Sequence, residues 1–209
     1  LETNVTGYDG EEVTGRQVLY NYFDEKHTIA LAIRAQELGM TFTPSFHYSD
    51  TWISNAKAHI PLEWLKQGSE EKLENPDLAM LETAVYNYVH DFLADMKNAG
   101  VNNIIAVKNG NEQDAGLLFP IASGLGSEHA SIITSSSRAV KEIYPDVINI
   151  IHTNTGYTTD KYNSFFGKLN DAGAEYDGMG FSLYAGRQIY NQHTMMQEVL
   201  SDDKLKYYD

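Results

Sequence analysis

The chain has 209 residues, a formal charge of −14, 42% hydrophobic residues and no cysteine. This length suits one globular core. The negative charge disfavours nucleic acid and anionic membranes as partners, and the lack of thiols excludes disulfides, thiolate-built zinc sites and cysteine nucleophiles. No apolar run reaches the roughly eighteen residues that a membrane-spanning helix needs, no leader with a basic start is visible, and a neutral substrate fits the charge best.

In chain order, a helix is expected from Glu25 to Leu38, with Ile29, Ala32, Ile33 and Ala35 spaced along it and Gly39 as its stop. A strand follows over 40–46, with Pro44 awkward in its middle. A second helix runs from about Pro76 to Asn98, setting Leu78, Leu81, Val85, Val89, Phe92 and Met96 on one face before Gly100. The run 103–107 reads as a buried strand, 128–143 as helix and 147–151 as strand. Then 160–172 reads as helix, 178–183 as strand and the stretch from Thr194 to Tyr207 as a further helix.

Strands that alternate with helices make a parallel sheet, and four such units fit half of a doubly wound sheet or a sector of a (β/α)8 barrel. A nucleotide-binding sheet would carry a glycine fingerprint after its first strand, and the sequence has none there. Polar and aromatic residues instead crowd the ends of the strands, where a barrel builds its active site. They are His47-Tyr-Ser-Asp50, Asn109-Gly-Asn-Glu112, His152-Thr-Asn154 and Ser182-Leu-Tyr184. Glu112 is the candidate proton donor of a glycoside hydrolysis, Asn111 a candidate for a sugar hydroxyl, and Trp52, Trp64 and Phe119 candidates for stacking on pyranose rings. Read singly, each has a plain alternative: a solvated loop carboxylate, a hydrogen-bonded histidine, a core tryptophan. Met80 and Met179 read as core filling.

The stretch Phe46-His-Tyr-Ser-Asp-Thr-Trp52, followed by Lys57, Pro61 and Trp64, resembles without a gap the DFHYSDxWADPxKQxxPxxW pattern of glycoside hydrolase family 53, the arabinogalactan endo-β-1,4-galactanases. Gly110-Asn-Glu112 with Gly116-Leu-Leu-Phe-Pro120 is similar to that family's GNE…GMLWP segment. Ile151-His152, Tyr162, Phe165 and Tyr176-Asp-Gly-Met-Gly-Phe-Ser-Leu-Tyr184 resemble its later segments, the last of them YDxIGLSYYP. The likeness departs from the pattern at Ser45, Ser54, Ala58, Phe119 and Leu183, which bears on substrate contacts more than on chemistry.

The resemblance implies a (β/α)8 barrel, present here as about its third to sixth strands, and a retaining mechanism with two glutamates. Glu112 would be the acid/base after the fourth strand. His47, Asp50 and Trp52 would line the cleft from the third, His152 from the fifth and Tyr184 from the sixth. On this alignment the nucleophile lies beyond Asp209, and Glu82-Thr83, which mimics its context, falls mid-helix. The expected function is endo-hydrolysis of β-1,4-galactan, the side chains of pectin, by a secreted or surface enzyme of a bacterium that needs no cofactor or metal. Two alternatives stay open: a non-catalytic glycan-binding homologue, or a half-barrel completed by another chain. A small-molecule-binding α/β protein is the reading if the motif match is accidental.

Overall fold

The structure is a computed structural model and describes residues 2–6, 12–16, 24–50, 58–67, 71–72, 76–154 and 159–182. In chain order its elements are β1 (Glu2–Thr6), β2 (Glu12–Arg16), α1 (Glu25–Glu37), β3 (Ser45–Phe46), a short 3-10 turn (Leu62–Leu65), β4 (Lys66–Gln67), β5 (Glu71–Lys72) and α2 (Leu78–Asn98). They continue with β6 (Ala106–Asn109), a second 3-10 turn (Gln113–Ala115), β7 (Gly116–Leu117), β8 (Ala122–Ser123), α3 (Ser127–Ile143) and β9 (Ile148–Thr153). The last are α4 (Thr159–Tyr162), a π-helical segment (Asn163–Gly167), α5 (Lys168–Asp171) and β10 (Gly178–Phe181). The helix expected from Thr194 lies outside the described residues.

Four strands form one parallel sheet in the order β10-β9-β6-β3. The pairs Ser45 with Lys108, Lys108 with Ile150 and Ile150 with Gly178 set the register. Consecutive parallel strands joined through helices are a sector of a (β/α) barrel. β1 with β2, β4 with β5 and β7 with β8 are separate antiparallel pairs.

The expected strand over 40–46 shrinks to Ser45–Phe46 plus one bridge from Phe42 to Ile104. Pro44 is the reason: it has no N–H for the ladder, although its carbonyl still accepts from the Lys108 N–H at 2.9 Å. The next strand starts three residues later than the hydrophobic run suggests, at Ala106, because Asn103 is drawn off to the carbonyls of Ala32 and Met40.

The two long helices begin on side-chain caps. Asp24 accepts from the His27 N–H at 2.9 Å and Asp77 from the Met80 N–H at 2.8 Å, each meeting one of the donors a helix start leaves over. Helix α2 stops at Gly100, whose φ of +85° reverses the chain toward Val101 and the next strand.

Alternation along the strands separates two faces. Val107 packs in a core with Leu81, Val85, Val89, Phe92 and Met96 of α2 and Ile132, Ala139 and Val140 of α3. Ile151 packs with Ile133, Tyr162, Phe165, Phe166 and Leu169. The helices therefore cover this face. Lys108, Ile148, Ile150 and His152 alternate onto the other, the barrel-interior side, where Ile148 is 48% exposed. Gly178 and Gly180 of β10 share that side, since a Cβ on either would meet Ile150, at 3.2 and 3.1 Å.

Candidate active site

The β6 strand ends at Asn109, and the loop beyond it turns back sharply through Gly110 (φ +80°) and Glu112 (φ +44°). A left-handed backbone costs a non-glycine residue on the order of 1–2 kcal/mol, so Glu112 has to be held there by its surroundings. Its backbone N–H donates to Nδ1 of His152 at 3.1 Å, and its carboxylate Oε1 accepts from the Ser182 hydroxyl at 2.6 Å. Ser182 follows β10, and its Oγ also stands 3.0 Å from Nε2 of His152. Glu112, at 4% exposure, is buried at the carboxyl ends of three successive strands.

These contacts assign the imidazole. Nδ1 accepts a hydrogen bond and so carries no proton, leaving Nε2–H to donate to Ser182, whose own proton goes to Glu112. His152 is therefore neutral. Burial first and the nearby Lys108 charge second push its pKa down to about 4, against the opposing pull of Glu112 and Asp114. His47, just beyond β3, is also lowered to about 4, by burial, then by Lys108 and His152, with Glu112 opposing. Lys108 donates to Oδ1 of Asn111 at 2.7 Å, and burial lowers its own pKa.

Asp114 ties the same loop to the end of β9. Its Oδ1 accepts from the Thr153 hydroxyl at 2.6 Å and its Oδ2 from the Asn154 N–H at 3.0 Å. Behind the loop Tyr48 donates to Asn109 at 2.6 Å and Asn109 in turn to Asn149, a buried polar file between sheet and helices. Burial holds the Tyr48 hydroxyl protonated, far above its ordinary range.

Of the residues singled out from sequence, the structure brings His47, Asn111, Glu112 and His152 to one end of the sheet. Asp50 accepts from the Leu62 N–H at 2.7 Å and so braces the 3-10 turn. Trp64 packs its ring 5.9 Å from Tyr88 and 6.4 Å from Tyr48, on the helix-side core. Phe119, at the cis bond to Pro120, meets His59 edge to face at 5.8 Å. Glu82 lies within α2 and accepts from Ser131 of α3. Trp52 and Tyr184 lie outside the described residues.

The sequence gives Ser182 a place in a strand-end cluster but no role, and does not single out Lys108 or Asp114 as site residues. The side of Ser182 was within reach: counting by twos from Gly178 through Gly180 puts residue 182 on the interior side of β10, one step past the strand. Replacing it by alanine removes a donor to the carboxylate and an acceptor for His152 together. Ser182→Ala is expected to lower any catalytic rate that depends on Glu112 about tenfold, the worth of one hydrogen bond to a charged group, with little change in melting temperature. Steady-state kinetics beside a thermal melt check this, and unchanged kinetics would remove Ser182 from the site.

Comparison with known proteins agrees with the barrel fold. The family model for Glycosyl hydrolase family 53 matches residues 7–208. An arabinogalactan endo-β-1,4-galactanase of Thermothelomyces thermophilus is 28% identical over 192 residues, 87% of this chain and 54% of that protein. A family 53 catalytic domain from Ignisphaera aggregans superposes with a TM-score of 0.72 at 25% identity, covering 85% of this chain and 46% of that one. A structure from a study of two fungal β-1,4-galactanases gives 0.75 at 22% identity, covering 94% and 63%. The chain spans about half the length of the curated relatives it matches.

Proposed function

Because the chain belongs to glycosyl hydrolase family 53, we propose that it carries the proton-donor half of a retaining endo-β-1,4-galactanase site, with Glu112 as the acid/base. The observation that carries this reading is the buried Glu112 carboxylate, fixed by Ser182 and His152 at the carboxyl end of the sheet. In the first step Glu112 protonates the leaving glycosidic oxygen while a second carboxylate attacks the anomeric carbon. In the second step Glu112 takes a proton from the water that releases the sugar.

Retention needs that second carboxylate about 5–5.5 Å away. Asp114, the other acid tied into the loop, has both oxygens engaged at the end of β9, so the reading takes the nucleophile from outside the described residues. Asn111, steadied by Lys108, is assigned to a sugar hydroxyl beside the reacting carbon. Trp52 and Tyr184 are assigned to the cleft by their motif positions, as are His47 and Asp50. The relatives named as galactanases support galactan as the substrate. A polymer does not cross a membrane, which favours a secreted or surface enzyme that degrades pectin side chains.

The test is to incubate the full-length protein with β-1,4-galactan and, separately, with xylan, following new reducing ends and the configuration of the first product by NMR. We expect galactan cleavage with a β-anomer formed first. Cleavage of xylan alone would overturn the substrate assignment, an α-anomer the retaining mechanism, and galactan binding without new reducing ends would leave a glycan-binding protein in place of an enzyme.

A further inference from the structure

Behind Glu112 the next side chain turns the opposite way. Gln113 is 1% exposed, and its amide nitrogen donates to the carbonyl of Asn109 across the loop it closes. It lies over Gly110 so closely that a Cβ there would run into it. Its amide oxygen stands 2.9 Å from Nε2 of His129, which sits in the first turn of α3 and is also 1% exposed. Nδ1 of the same ring stands 3.0 Å from the carbonyl of Gly124. Gly124 is itself locked to the loop, since its N–H donates to the carbonyl of Ala115 at 2.9 Å.

The ring thus touches the acid/base loop at both ends, through Gln113 just after Glu112 and through Gly124 against Ala115. Both ring nitrogens face an oxygen and the neutral ring has one N–H, so it donates to one of the two and packs against the other; an amide or imidazole moved out of line there loses its partner with no water to replace it. Nothing else in the described contacts of Gln113 reaches from the helix layer to this loop.

The geometry points to His129 as a positioning residue for the acid/base, acting through Gln113 to hold Glu112 in its left-handed conformation and aim its carboxylate. This rests on the reading of Glu112 as the proton donor. It assigns a catalytic consequence to a residue on the far side of the loop from the substrate.

The experiment compares Glu112→Gln, Gln113→Leu, His129→Leu and the double variant Gln113→Leu/His129→Leu in the full-length enzyme. Each is measured for kcat/KM on galactan, whose leaving group needs a proton, and on a 2,4-dinitrophenyl β-galactobioside, whose leaving group does not. Misaiming a catalytic group by about an ångström costs up to the order of 100-fold, so each single variant is expected to lose about tenfold or more on galactan and less than about threefold on the activated substrate. The double variant should lose no more than the worse single one, because the two residues form one strut. His129→Gln, which keeps a donor, should recover part of the galactan activity and stands in should the leucine variant fail to fold.

If Glu112→Gln shows the contrast between substrates and the His129 and Gln113 variants do not, the strut alone is overturned. Equal losses on both substrates, or additive losses in the double variant, overturn it as well, since they mark general loosening. If Glu112→Gln itself shows no contrast, the proton-donor reading falls and the strut's catalytic role falls with it.

Discussion

Replacing Glu112 by glutamine in the full-length protein is expected, on the proposed function, to lower hydrolysis of unactivated galactan by on the order of 100- to 10,000-fold. Glutamine keeps the size and can still accept from Ser182, so the packing around it, at 4% exposure, stays filled. It cannot lend a proton. The loss should therefore be far smaller for kcat/KM on a dinitrophenyl galactoside, whose departure needs no acid. Turnover of that substrate should still slow, because the second step wants a base. A burst of released phenol followed by slow turnover would show this directly. Equal loss on both substrates, or none on either, would remove Glu112 from the role.

The second large effect is on acid stability. His47, His129 and His152 are all held near pKa 4, in each case chiefly by burial, against an ordinary value of 6.5. A lowered histidine pKa means that the unfolded chain binds protons more readily than the folded one. The stability linked to keeping these rings neutral is complete above pH 6.5 and is lost as the pH falls from there through about 4. For His129, fully enclosed, the gap corresponds to on the order of 3 kcal/mol. His47, half-buried, contributes less. Urea unfolding at pH 7 and pH 4.5, with NMR titration of the imidazole carbons, measures both sides. Titration of His129 near 6.5 in the folded protein would sink the prediction.

Protonation has a local consequence at His152. Nδ1 becomes a donor facing the Glu112 N–H, and one of the bonds that keeps Glu112 left-handed is lost. Activity that depends on Glu112 should thus fall as the folded protein is brought down through about pH 4.

Much of this was legible in the sequence because hydrophobic period and helix stops are local signals. The α2 face from Leu81 to Met96 is buried as its spacing indicates, and the chain turns at Gly39 and Gly100. Strand limits were less legible. Whether Phe42 or Ser45 pairs depends on Pro44 and on a side chain, Asn103, some sixty positions away. The site divides the same way. Glu112 and His152 stood out because they end strands, but Ser182 acts on Glu112, and Gln113 on His129, through contacts across 70 and 16 positions of chain. Strand alternation gives the side on which Ser182 lies, but not its partner. Trp64, for which the sequence leaves both a sugar-stacking and a core role open, has its ring against Tyr48 and Tyr88.

The bonds around Glu112 form a closed circuit: its own N–H goes to His152, His152 to Ser182, and Ser182 back to its carboxylate. Each link comes from a different strand end. A slip of β9 or β10 by one residue turns His152 or Ser182 to the helix side and opens the circuit. The site thereby acts as its own inspection gauge. A chain that pairs these strands out of register still holds a glutamate but loses the bonds that aim it, so correct assembly and an aimed carboxylate come together.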